Sequence, residues 1–166
     1  MPVFSLPSKH GVGDLGAQAR EWIGLLSKNG IKIWQILPLN PVGYGNSPYQ
    51  PYSSMAGDEL YISLEALFDQ GLLKTAPKGF MEQTERVVYD KARAYKETFL
   101  REAFANFSEN EDYKAFISQP WVKNYGIFRA FKSANENRCW NEWPDWQKNW
   151  PKDPQNLPPQ LEAQAR

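Results

Sequence analysis

The 166-residue sequence predicts an α/β fold that begins with a βαβ unit and continues as helices. An amphipathic stretch at 15–29 is followed directly by a β-branched run at 31–37, and a second zone of helical periodicity starts near residue 89. A strand that is apolar on both faces needs parallel neighbours. We therefore expect a sheet of which this chain supplies only the beginning.

Residues 2–6 are predicted to end the first strand, which runs into a turn at 7–13. Asp14 is expected to cap the following helix by accepting hydrogen bonds from the free amides of its first turn. Asn29 and Gly30 supply a left-handed stop. The apolar stripe of this helix consists of Leu15, Ala19, Trp22, Ile23 and Leu26. The last three should face the strand at 31–37.

A long loop at 38–57 leaves the carboxyl end of that strand, where α/β enzymes build their sites. Four prolines, together with Gly43 and Gly45, exclude a helix or a central strand. Tyr44, Tyr49 and Tyr52 offer flat apolar ring faces and hydroxyl groups, a combination that suits sugar rings. The same tyrosines could instead pack the loop onto its own domain, and both interpretations stay open at this point.

The rest of the chain is predicted to be mainly helical. A short extended piece and a short helix occupy 61–73, and 75–84 form a connector. Three helices are expected at about 89–107, 110–118 and 120–134. The tail combines several prolines with Trp140, Trp143, Trp146 and Trp150. It should lack regular structure and form a strap on a partner surface, in preference to a second sugar site.

Composition excludes several functional classes. Nineteen basic residues balance nineteen acidic ones and are scattered, so we expect no nucleic-acid or membrane partner. His10 and Cys139 are single and far apart in sequence, so neither a metal site nor a thiol nucleophile is predicted. The absence of a signal peptide and of a paired cysteine indicates a cytoplasmic setting.

Four blocks of sequence carry a more specific signal. They are SLPSKHGVGDLG at 5–16, WQILPL at 34–39, GYGNSPYQ at 43–50 and SLEAL at 63–67. In order and spacing they closely resemble the amino-terminal part of the 4-α-glucanotransferases called amylomaltase or disproportionating enzyme. The resemblance implies a partial TIM (β/α)8 barrel with an α-helical insertion subdomain. It implies a barrel domain at 1–74 and a helical insertion with its tail at 75–166.

The family implied by this resemblance breaks an α-1,4 bond of a glucan, holds the donor as a covalent glycosyl-enzyme and passes it to the 4-hydroxyl of another glucan. No cofactor is implied, and the expected ligands are maltooligosaccharides and amylose. The family's catalytic acids lie on later barrel strands. This chain is therefore expected to be an amino-terminal fragment that lacks catalytic residues and the carboxyl-terminal part of its barrel. The chain's own acidic residues are expected in caps and on exposed helix faces, with solvated surface roles; examples are Glu85, Asp90, Glu97 and Glu102.

The substrate-binding residues implied by the resemblance lie in the loop. Ser47 and Tyr49 match positions that line the active-site cleft, Tyr44 matches a secondary glucan-binding site, and Gln50 is added because it is adjacent. Asp58 and Glu59 stand where the family usually has Asn and Pro. The alternative function is a non-catalytic glucan-binding module, which would have to complete its own sheet.

Overall fold

The computed structural model describes residues 1–79, 85–150, 152 and 157–165, and the chain divides into the units Met1–Ser108 and Glu109–Arg166. The connector predicted at 75–84 lies partly outside the described residues. Pro151 and Pro154 of the tail lie wholly outside them. The division into domains at 1–74 and 75–166 stays a prediction.

The predicted α/β fold with the first strands of a TIM barrel is wrong for this structure, because the described residues contain no β-strand. Val3–Ser5 form a 3-10 helix, and residues 31–39 have no regular secondary structure. A β-strand forms only where a neighbouring segment pairs with its backbone groups. A run of β-branched residues shows a preference for extended structure, but it does not show that such a neighbour is present. Ile33, predicted to be buried, is 83 % exposed.

The first predicted helix is confirmed as α1, Ala17–Lys28. It ends at Asn29, and Gly30 follows with a φ of +73°. Of its predicted stripe, Ala19 is buried and packs with Val3 and Leu6, whereas Ile23 is exposed. The predicted capping role of Asp14 is wrong, since its carboxylate accepts from the N–H of Gly16, ahead of the helix.

The rest of the first unit contains two helices. α2 is Leu64–Asp69, and the hydroxyl of Ser63 caps it by accepting from the Ala66 N–H at 3.3 Å. α3 is Tyr89–Asn106, which confirms the helix predicted at 89–107. A short 3-10 helix, Glu59–Tyr61, precedes α2. Leu60 of this segment packs with Val12 and with Ala92 of α3 in a buried cluster.

The second unit begins with α4, Glu111–Ile117, and α5, Pro120–Ala134, and confirms both predicted helices. The tail contains a 3-10 helix, Trp140–Glu142, then α6, Asp145–Asn149, and α7, Pro159–Gln164. The prediction that the tail lacks regular structure is therefore wrong. Its described prolines precede or begin α6 and α7, positions where a missing N–H costs no helical hydrogen bond.

The core of the second unit also corrects the strap prediction for two tail tryptophans. Trp143 and Trp150 are buried against Ile127 and Phe131 of α5, so they pack within their own unit. α5 and α7 approach closely at Gly126. A Cβ there would lie 2.2 Å from the carbonyl oxygen of Ala165, so only glycine permits this packing.

No helix among the described residues has the length and apolar character that crossing a membrane requires.

Tyr61 should make the stability of the first unit depend on pH in the alkaline range. Its ring packs against the cluster of Val3, Leu6 and Ala19. Burial, with smaller contributions from Tyr89 and Asp58, raises the pKa of Tyr61 from 10.0 to about 12. Between these values the unfolded chain has lost the phenolic proton that the folded chain retains.

We predict that the free energy of unfolding falls as the pH rises from 10 towards 12, and that Tyr61→Phe makes this fall less steep. Urea unfolding of both proteins across this range measures the difference. Tyrosinate absorbance should show one fewer late-titrating phenol in the variant. Identical slopes for the two proteins would contradict the assignment.

Candidate functional site

The loop at 38–57, called here the tyrosine loop, is closed by hydrogen bonds across its neck. The N–H of Asp58 donates to the oxygen of Leu39 at 2.8 Å, and the N–H of Tyr52 donates to Pro41 at 2.9 Å. An isolated antiparallel bridge joins Val42 to Pro51. These bonds satisfy backbone groups that a loose loop would leave to water. The loop is therefore an ordered structure, although it contains no strand.

Two consecutive turns form the tip of the tyrosine loop. The N–H of Asn46 donates to Gly43, in a 3-10 turn where Gly45 and Asn46 have positive φ. The N–H of Gln50 donates to Ser47 at 3.1 Å. The hydroxyl of Ser47 accepts from the N–H of Tyr49 at 3.3 Å. The tip thus holds all four predicted substrate-binding residues on a defined backbone.

Two tyrosines of the loop project from the unit. Tyr44 is 97 % exposed and Tyr49 is 72 % exposed. The alternative that these rings pack the loop onto its own domain is wrong for both. The ring of Tyr52 lies against the backbone of the loop, with one ring carbon 3.2 Å from the position that a Cβ on Gly43 would occupy. Ser47 is half-buried and Gln50 is exposed.

The base of the tyrosine loop is anchored by an ion pair that sequence reasoning missed. Asp58 is buried, and Arg93 of α3 donates to both its carboxylate oxygens, at 3.1 and 2.8 Å. The same carboxylate accepts from the N–H of Leu60 at 3.0 Å and from that of Val42 at 3.4 Å. A bidentate pair of this kind fixes direction as well as distance. It connects both sides of the loop neck to α3.

A second cation of α3 is held by a similar arrangement. Lys96 is fully buried, and its ammonium donates to Asp14 at 3.2 Å and to the carbonyl of Leu60 at 2.6 Å. Burial lowers the pKa of Lys96, and the charge of Asp14 opposes that shift. The sequence could have indicated this burial, because Lys96 follows Ala92 by four residues and therefore lies on the same face of α3 as that buried residue.

His10, which the sequence left without a function, is also buried. Its Nε2 lies 2.7 Å from Glu65, and its ring stacks on Tyr95. Burial alone would raise the pKa of Glu65, but its hydrogen bonds with His10 and Lys9 lower it overall. Within the described part of the chain, no three His, Cys, Asp or Glu side chains are grouped so that they could hold a metal ion.

The first unit also contains a cavity of about 700 Å³ between the turn at 4–13 and the start of α3. Lys9, Glu85, Arg86 and Tyr89 contribute polar groups to its lining. The predicted substrate-binding residues do not line it. Tyr44 and Tyr49 are instead exposed on the surface of the unit.

Comparison with known proteins points to one family. The sequence model of the 4-alpha-glucanotransferase family matches residues 1–165. The chain is 39 % identical to the 4-alpha-glucanotransferases of Thermus thermophilus, over 148 residues, and of Synechocystis, over 152 residues. Each alignment covers 84 % of this chain, but only 29 % and 30 % of the respective relative.

A solved structure agrees with the sequence comparison. The amylomaltase from Streptococcus agalactiae in complex with acarbose superposes with a TM-score of 0.78 at 30 % identity. The superposition covers 87 % of this chain and 31 % of that one. The chain thus spans about three tenths of the length of the relatives that it matches.

The anchor of the tyrosine loop predicts a contrast between two arginines of α3. Arg93→Ala leaves the buried carboxylate of Asp58 without its cation, which should lower the free energy of unfolding by about 3 kcal/mol. Arg101→Ala is the matched control, because Arg101 pairs with Glu97 on the exposed face of the same helix. Its effect should stay within about 0.5 kcal/mol. Urea unfolding measures both, and equal losses would refute the anchor.

Proposed function

Because this chain belongs to the 4-alpha-glucanotransferase family, we propose that it forms part of an enzyme that transfers α-1,4-glucan segments between maltodextrins or starch-derived glucans. The observation that carries this proposal is the family match over 1–165, which includes the whole tyrosine loop. The named activity of the relatives and the acarbose in the related structure support a glucan ligand.

We assign substrate contacts to the tip of the tyrosine loop. Tyr49 stacks on a glucose ring of the donor or acceptor glucan, and its hydroxyl bonds to a sugar hydroxyl. The hydroxyl of Ser47, whose oxygen accepts from the N–H of Tyr49, donates a hydrogen bond to the same glucan. Tyr44 binds a more distant glucose unit of long glucans, and Gln50 contributes its amide beside the cleft. The exposure of both tyrosine rings supports these roles.

The proposed reaction retains anomeric configuration through a covalent glycosyl-enzyme. That mechanism needs a carboxylate nucleophile and a carboxylic acid about 5 to 5.5 Å apart. Asp14 and Asp58 are the buried acidic residues of the described part of the chain, and each is paired with a cation of α3. This pairing supports a structural role for them. The catalytic pair is then supplied by residues outside these 166, as the family resemblance implies.

A non-catalytic glucan-binding module is the second candidate. Such a module would have to complete its own sheet, and the described residues contain no β-strand, which counts against it. The observation in its favour is that Arg93 of α3 holds Asp58 at the base of the tyrosine loop, so this chain orders the loop itself. Such a module would bind glucans through the same exposed rings and perform no transfer.

In either case the single, exposed Cys139 supports a reducing, cytoplasmic compartment.

We predict that the 166-residue chain expressed alone forms neither glucose nor longer maltodextrins from maltotriose, because retaining transfer needs two positioned carboxyl groups that the family resemblance assigns to residues outside it. Chromatography of the products measures this, with a mock preparation to exclude host enzymes. Transfer by the purified chain would contradict the assignment of the catalytic pair to other residues.

In the complete protein that contains this chain, we predict that Tyr49→Ala and Ser47→Ala each reduce kcat/KM with maltotriose by about tenfold. Tyr44→Ala should act mainly on long amylose. Steady-state kinetics with both substrates distinguish the two effects. Three equal and negligible changes with both substrates would remove the loop from the substrate site.

A further inference from the structure

The second unit has a cavity of its own, of about 280 Å³, between α5 and residues 140–150. Phe128 and Phe131 line it from α5, and Trp140, Trp143 and Trp150 line it from the opposite side. Aromatic rings therefore form most of the wall. A cavity of this size is near the lower limit of small-ligand pockets, and gives room for one ring of a ligand.

The inner wall of this cavity is fixed by packing. Trp143 and Trp150 contact Phe131 edge to face, with ring centroids 6.0 and 6.3 Å apart. The indole N–H of Trp143 donates to the carbonyl of Arg138 at 3.2 Å. Both indoles are buried. The wall is thus preformed, and a ligand would not have to order it.

The rest of the lining is not purely apolar, and it includes an exposed indole. Trp140 is 63 % exposed, although it lines the cavity. Asn124, Gln147 and Lys148 also line the cavity. The oxygen of Gln147 accepts from Asn135 at 2.6 Å, so the amide nitrogen of this side chain is positioned as a donor.

We propose that this cavity binds a single ring of an α-1,4-glucan, with the face of Trp140 against the ring and the amides of Asn124 and Gln147 at its hydroxyls. A flat apolar face bordered by amide donors matches a pyranose, which has apolar faces and an equatorial belt of hydroxyls. A purely apolar ligand would leave these polar groups without partners. The geometry selects a cyclic polyol, and the choice of a glucan rests on the proposed function.

The test uses the 166-residue chain with Tyr44→Ala and Tyr49→Ala, so that the tyrosine loop does not contribute. Maltotriose is titrated while the indole N–H signals are followed by nuclear magnetic resonance. We expect the signal of Trp140 to shift, and Trp140→Ala to weaken binding about fivefold to tenfold. Trp140→Phe, which retains a flat face, should recover most of the affinity. Because Trp140 is largely exposed, its replacement should leave the fold intact.

Trp121→Ala is the matched control, because Trp121 is another tryptophan of the second unit, on α5, that packs against Phe116 and does not line the cavity. It should bind maltotriose like its parent. Equal affinities of the Trp140→Ala and Trp121→Ala chains would overturn the proposal, as would occupation of the cavity by a hydrophobic dye that maltotriose does not displace. A shift at Trp140 together with no transfer by the complete protein would support this site and reject the proposed function. Transfer without such a shift would do the reverse.

Discussion

The first unit depends on two buried ion pairs between α3 and the loops that cross it. Arg93 and Lys96 are three residues apart, so both lie on one side of the helix, and they hold Asp58 and Asp14 respectively. Removing a charge from water is costly unless a partner and further hydrogen bonds compensate it. Here each carboxylate also accepts a backbone N–H, from Leu60 and from Gly16. The pairs therefore fix chain direction at two loops at once.

This constraint reaches the candidate site through Asp58, which lies immediately after the tyrosine loop. The loop exposes two large rings, and rings on a disordered segment would lose much of their binding energy when the segment is ordered. Hydrogen bonds across the neck and the bidentate contact with Arg93 order the backbone before any ligand arrives. The same commitment explains why these carboxylates serve structure. A catalytic carboxylate has to meet substrate, and these are occupied.

Sequence reasoning succeeded where the determinants are local. The periods of α1, α3 and α5 and the stop at Gly30 follow from residues within one or two turns of each other. The prediction of a strand at 31–37 failed because strand pairing depends on a second segment. The exposed side chain of Ile33 shows that no second segment covers it within the described residues. The prediction for the tail failed because proline was treated as a residue that breaks helices, whereas here proline stands at the first position of α7.

The candidate site was predicted in the same partial way. Its prolines, glycines and tyrosines marked a presented loop, and the structure places these tyrosines on the surface. The anchor was invisible because Asp58 and Arg93 are far apart in sequence, and each by itself resembles a solvated charge. Asp58 stood out only as a departure from the family pattern. In the second unit the aromatic residues were noticed, but their packing around Phe131 depends on α5 and could not be derived from the tail.

The role of the Asp58–Arg93 pair in ordering the tyrosine loop is tested most directly by a double-mutant cycle between these two residues, read at the amides of Gly43 and Tyr52 by native-state hydrogen exchange. The amide of Tyr52 donates to Pro41 across the neck of the tyrosine loop, and the amide of Gly43 donates to Gln50, on the opposite side of the same loop, at 3.2 Å. We expect Asp58→Asn and Arg93→Gln to be coupled by at least about 1 kcal/mol, so that the double variant loses little more protection than either single variant. Losses of protection that simply add would contradict the claim that this ion pair orders the loop.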